Sequence, residues 1–173
     1  FGKKNTKVGV VCSDAGAANL IAPWVKLYKF KYNFNLRPAA KKIFKKYIPK
    51  LSPNLNLKKL IENSDQIVTG TSTISSIENE ARLMAIKNKV KVIAVMDHWV
   101  LYKESLVYKK KLNLPDEIWV TNAHAYIKAK KEFRGTKIIK KTNFLEQSIK
   151  KIKKKNKKIN NFLYVLEPIN NSI

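Results

Sequence analysis

Residues 90–102 read VKVIAVMDHWVLY. The run Val92–Met96 within them is short, continuous and apolar, and it contains β-branched residues. Such a run reads as a strand buried on both faces, the mark of a parallel sheet. It stops abruptly on Asp97, His98 and Trp99: an acid, an imidazole and an indole in succession. In an open parallel sheet, ligands bind just beyond the carboxyl ends of the strands. This strand therefore delivers titratable and stacking groups to the place where a site is expected.

The rest of the chain repeats the pattern. Lys7 to Cys12, KVGVVC, reads as a first strand, followed by the turn SDAGAAN and an apolar helix-like stretch. Pro23 fits the first turn of a helix better than its middle, so this helix is expected to start late or to kink. Tyr32 to Leu36 reads as an edge strand, Ala39 to Tyr47 as a short helix, and Leu57 to Asn63 as another. Gln66 to Gly70, QIVTG, is a further strand, followed by Ser75 and Glu78 at the spacing of a capping box. Ile74, Ile77, Ala81, Met84 and Ala85 recur at helical spacing.

After the central strand, Lys103 to Lys111 is polar and helix-compatible. Glu117 to Thr121 and Thr136 to Lys140 read as strands around a helix from Ala125 to Phe133, closed by Arg134-Gly135. Asn143 to Lys158 reads as a helix that runs out into lysines, and Phe162 to Leu166 as one more strand. Strands alternating with helices at these intervals predict an α/β fold: a doubly wound, mostly parallel sheet of about six strands with helices on both faces.

In that fold four strand ends meet on one rim. They carry Ser13, Asp14, Gly16 and Asn19; then Gly70, Thr71 and Ser72; then Asp97, His98 and Trp99; then Asn122 and His124. The turns after the first and third strands place helix N-termini where they can face an anion. One glycine in SDAGAAN is too few for a dinucleotide fingerprint, and an ordinary turn with Asp14 or Ser13 as N-cap explains the same residues. Asp97 beside His98 is the pairing that general-base catalysis uses, although neighbours on a strand point to opposite faces. A histidine bonded to backbone in the core is the alternative for His98. Asp97, His98 and His124 match no metal-ligand spacing, so no metal is expected.

The net charge is +24, and 33 of the 36 basic residues are lysine. A dedicated nucleic-acid binder recruits arginine for bidentate and stacking contacts. The lysine bias, with abundant Asn and Ile, reads instead as the codon preference of a low-GC genome filling solvated positions, so nucleic acid is not the expected partner. The lysines are expected to be spread over the surface and densest near the C-terminal helix. The single cysteine, Cys12, excludes an internal disulfide. No apolar run approaches the roughly 18 residues of a membrane span, and no signal peptide is legible at the start. The expected setting is cytoplasmic, with weak peripheral association at an anionic membrane face. A chain opening on Phe1 reads as a processed or excised segment.

Four segments in order, VGVVCSDAGAANLIAPW, VTGTSTISSIENEARLMA, VIAVMDHWVLYKESL and LPDEIWVTNAHA, together resemble the N-terminal half of GT-B-type glycosyltransferase-like proteins of bacterial surface-polysaccharide biosynthesis. The closing NFLYVLEPI resembles the strand that enters the second domain of such proteins. The resemblance implies a Rossmann-like domain over residues 1–158, and a linker strand over 159–173 that starts a second domain or closes this one as an edge. It implies an acceptor-side role, a sugar or sugar-nucleotide ligand, no bound cofactor, and Asp97 or His98 as catalytic base. The SDAGAAN and GTS turns would line the cleft, with Trp99 stacking on a sugar or base. A sugar-nucleotide epimerase half, a nucleotide- or phosphate-binding module and a basic nucleic-acid binder are the alternatives.

Overall fold

The computed structural model describes residues 5–97 and 102–150. Six strands form one sheet: β1 (Lys7–Cys12), β2 (Lys31–Leu36), β3 (Gln66–Thr69), β4 (Lys91–Val95), β7 (Glu117–Val120) and β8 (Lys137–Lys140). Their order is β2-β1-β3-β4-β7-β8, and every pairing is parallel. A two-stranded antiparallel hairpin, β5 (Val107–Tyr108) with β6 (Lys111–Leu112), sits in the β4–β7 connection. The predicted doubly wound α/β architecture is what forms, and its layout is Rossmann-like.

The continuous apolar strands are buried because helices cover both faces. In register across one face run Phe34, Val10, Val68 and Ile93. With Val95 and Trp119 they form a core under α1 (Ala15–Leu27) and α2 (Pro38–Tyr47), against which Phe144 of α6 (Phe144–Lys150) also packs. The other face presents Val11, Ile67 and Val92 to α3 (Leu57–Glu62) and α4 (Ile77–Lys87). It also presents Ala94, Ile118 and Val120 to α5 (Ala123–Glu132). Alternate residues of each strand thus feed opposite cores, as the two-residue period of a strand requires.

Four local expectations are corrected. α1 starts at Ala15 and runs through Pro23. Pro23 forfeits one backbone bond, and the eight buried residues of this helix, Pro23 among them, hold it in place. Ile74 is not on the α4 stripe: it is 99% exposed in the preceding loop, and the helix begins at Ile77. The capping box is absent, because Ser76 is the N-cap and the Glu78 carboxylate goes elsewhere. Residues 103–111 form no α-helix. A 3₁₀ turn at Glu104–Leu106 leads into the hairpin, whose turn residues Lys109 and Lys110 have φ of 50° and 61°. Two left-handed residues in succession give the turn that matches strand twist. Asn and Gly are its usual residues, so a lysine pair hides it. The strand expected at Phe162 to Leu166 and the end of the lysine-rich helix lie outside the described residues.

Candidate functional site

The chain leaves β1 toward β2 on one side, then crosses back to β3 on the other. The carboxyl ends of β1 and β3 are therefore the topological switch point, where open parallel sheets bind ligands. β1 ends in Cys12, and Ser13 and Asp14 make the turn into α1. Asp14 is the N-cap: its Oδ1 accepts from the Ala17 N–H at 2.8 Å. The Ser13 N–H donates to Glu78 Oε1 at 2.6 Å, across from the first turn of α4. Asp97, just past β4, is the third acid. A Cβ on Gly16 would collide with Asp97 Oδ2 and lie 3.3 Å from Asp14 Oδ1. Only glycine lets that carboxylate approach the α1 backbone so closely.

Three carboxylates therefore gather at the carboxyl end of β1. The Cys12 thiol records all three: burial pushes it well above its ordinary value, and Asp14, Glu78 and Asp97 each push it further. Glu78 is fully buried, and burial raises its own carboxyl above the usual range. The chain has only 12 acidic residues against 36 basic ones. A local cluster of three carboxylates is thus set into a strongly cationic molecule.

One turn on from Glu78 lies Arg82, fully buried on α4. One amino group donates to Thr69 Oγ1 and the Gly70 carbonyl, both at 2.9 Å. The other donates to Asn79 Oδ1 at 2.6 Å and the Ser105 carbonyl at 2.7 Å. Burial lowers its pKa to about 10, against the opposing pull of Glu78. Arg82 thereby fixes the β3 turn, α4 and the 3₁₀ segment to one another. Neither Glu78 nor Arg82 is marked as a site residue by sequence. Glu78 reads there as a capping-box partner, and Arg82 is given no role. Their spacing, i and i+4 on one helix, was the only available signal.

The other predicted residues divide. Thr71 is buried, and its hydroxyl donates to the Val95 carbonyl at 3.1 Å. The Ser72 hydroxyl accepts from the Ile74 and Ser75 N–H groups at 3.3 Å. Both shape the loop between β3 and α4. Asn19 is half-buried on α1. Asn122 caps α5, accepting from the Ala125 N–H at 2.8 Å, and His124 is exposed in the first turn of that helix. Three strand spacings put the end of β7 roughly 14 Å from that of β1, so Asn122 and His124 stand along the rim, apart from the carboxylates. His98 and Trp99 lie outside the described residues. No group of three His, Cys, Asp or Glu suited to a metal ion occurs among the described residues, and no described helix is long and apolar enough to cross a membrane.

No family model, curated protein or solved structure matches this chain. The chemistry of the carboxylate cluster has to be read from its own groups. Two donors of the α1 turn, the Ser13 and Ala17 N–H groups, are already met by Glu78 and Asp14. Carboxylates accept hydrogen bonds. They suit a ligand rich in hydroxyl or ammonium donors.

Proposed function

We propose that the chain is the acceptor-side domain of a glycosyltransferase-like protein of surface-polysaccharide biosynthesis. The observation that carries this reading is the carboxylate cluster at the β1/β3 switch point, where Asp97 stands over Gly16 beside Asp14. A sugar is a dense array of hydroxyl donors, and a carboxylate accepting from them makes a charge-assisted bond. The resemblance of the SDAGAAN, GTS and DHW segments to such proteins supports the same reading. On it, Asp97 binds the acceptor, and Asp97 or His98 takes the acceptor proton. The donor sugar nucleotide binds a second domain of the parent protein.

Binding is testable on the chain itself. Glucose and N-acetylglucosamine titrated at millimolar concentration should bind, and Asp97→Asn should weaken binding about tenfold, since a site built to pair hydroxyls loses much when its acceptor changes. Gly16→Ala should do the same with the fold intact, because the added methyl displaces the Asp97 carboxylate. Absence of binding by either sugar, or equal binding by both variants, contradicts the reading.

A further inference from the structure

Residues 15–61 contain eleven basic residues and not one acidic residue. They build α1, β2, α2 and α3 up to, but not including, its last residue, Glu62. At the carboxyl end of β2, a cavity of about 580 Å³ opens between Leu36, Pro38, Arg37, Lys41, Lys42 and Lys45. Its floor is fixed: Asn54 Oδ1 accepts from the Leu36 N–H at 3.2 Å, and Asn54 Nδ2 donates to the Leu36 carbonyl at 2.8 Å. The Arg37 N–H donates to the Cys12 carbonyl at 3.0 Å, so the cavity adjoins the end of β1. None of its four cations has an ion-pair partner among the described residues.

The arginine is the informative residue. This chain uses lysine almost everywhere and has three arginines: Arg37, Arg82 and Arg134. Arg82 serves four acceptors, a task that needs the planar fork of a guanidinium. Arg37 has the same fork, no side-chain partner among the described residues, and three lysines around it. A fork ringed by lysine point charges matches the oxygens of a phosphate.

We infer that the cavity bounded by Arg37, Lys41, Lys42 and Lys45 binds the phosphate group of a phosphorylated ligand, beside the carboxylate cluster on the same rim. The inference goes beyond the sugar reading and does not require it. Free phosphates and lipid phosphates share this chemistry, and the experiment separates them.

Pyrophosphate is titrated into the chain at low salt, in parallel with vesicles of phosphatidic acid in phosphatidylcholine and with vesicles of phosphatidylcholine alone. Arg37→Lys, Arg37→Ala and Lys42→Ala/Lys45→Ala are compared with Lys58→Ala/Lys59→Ala, which removes equal charge from α3. Circular dichroism checks that each variant folds. The inference expects pyrophosphate, the acidic vesicles or both to bind, with binding weakened about tenfold in Arg37→Ala and clearly in Arg37→Lys, where charge is kept and the fork is lost. The α3 variant should bind as the parent does. A preference for pyrophosphate identifies a soluble ligand, and a preference for the acidic vesicles a lipid one. No binding by either probe, or equal loss in the α3 variant, overturns the inference. So does a single-stranded DNA oligomer that binds more tightly than both probes through Arg37, which would mark a nucleic-acid surface instead.

Discussion

Glu78 and Arg82 show how much of this rim is held by single side chains. Glu78 occupies the Ser13 N–H while burial disfavours its charge. Glu78→Gln keeps an acceptor there and removes the buried charge, so it should leave stability unchanged or raise it. Glu78→Ala leaves the N–H unmet and should cost about 1–3 kcal/mol. Arg82→Lys retains the charge but cannot reach four acceptors in two directions; the expected loss is on the order of 3 kcal/mol. Urea unfolding of the three variants checks both statements, and a Glu78→Gln as damaging as Glu78→Ala contradicts the first. These roles were not legible in the sequence for a physical reason. Each side chain bonds to backbone far away along the chain, 65 residues for Glu78 and 23 for Arg82 toward Ser105. Local spacing carries no trace of such partners. Asp14 differs, because an N-cap is a local device, and its role was within reach of the sequence.

At the scale of elements, the strands were the easiest to read. A run such as Val92–Met96 has no polar face, so it fits only where both faces are covered. Helix ends and turns were harder, since burial overrides preference there. α1 keeps Pro23 because its neighbours Ala22 and Trp24 are buried in the core. Trp24 also packs edge-on against Trp119 at 5.4 Å and donates to the Thr142 carbonyl at 2.9 Å. The β5–β6 hairpin turns on two left-handed lysines that carry the strain of a side chain at positive φ. Replacing Lys109-Lys110 by Asn-Gly should therefore stabilise the protein by about 0.5–1 kcal/mol, since the turn geometry is the one these residues prefer. Thermal unfolding measures this, and a lower midpoint would show that the lysines contribute more than their backbone costs.

Over the whole molecule, charge is separated on the sheet. At the opposite, amino edge, Glu117 is buried between β4 and β8. Its carboxylate lies 2.8 Å from Lys91 Nζ and 3.0 Å from Lys137 Nζ, and it accepts from Trp119 Nε1 at 3.0 Å. Burial alone would push its carboxyl up, but the bonds from Lys91, Trp119 and Lys137 outweigh burial and hold it down to about 2. A carboxyl depressed in the fold contributes stability above its unfolded value of about 4.3. That contribution is fully present above roughly pH 5 and is lost as pH falls toward 2. Glu117→Gln should flatten the acid limb of the stability curve between those values. An unchanged limb would assign acid sensitivity to other groups.

At the carboxyl rim the same separation sets carboxylates at β1 beside lysines and Arg37 at β2. The central claim is that the carboxylate side is where a sugar binds. Amide chemical-shift mapping tests it most directly, with the ¹⁵N-labelled chain titrated by N-acetylglucosamine. The account predicts saturable shifts concentrated at Ser13 to Ala17, Gly70 to Ser72 and Asp97. Shifts confined to the α2 cavity or to α5, or none at all at saturating sugar, would contradict it.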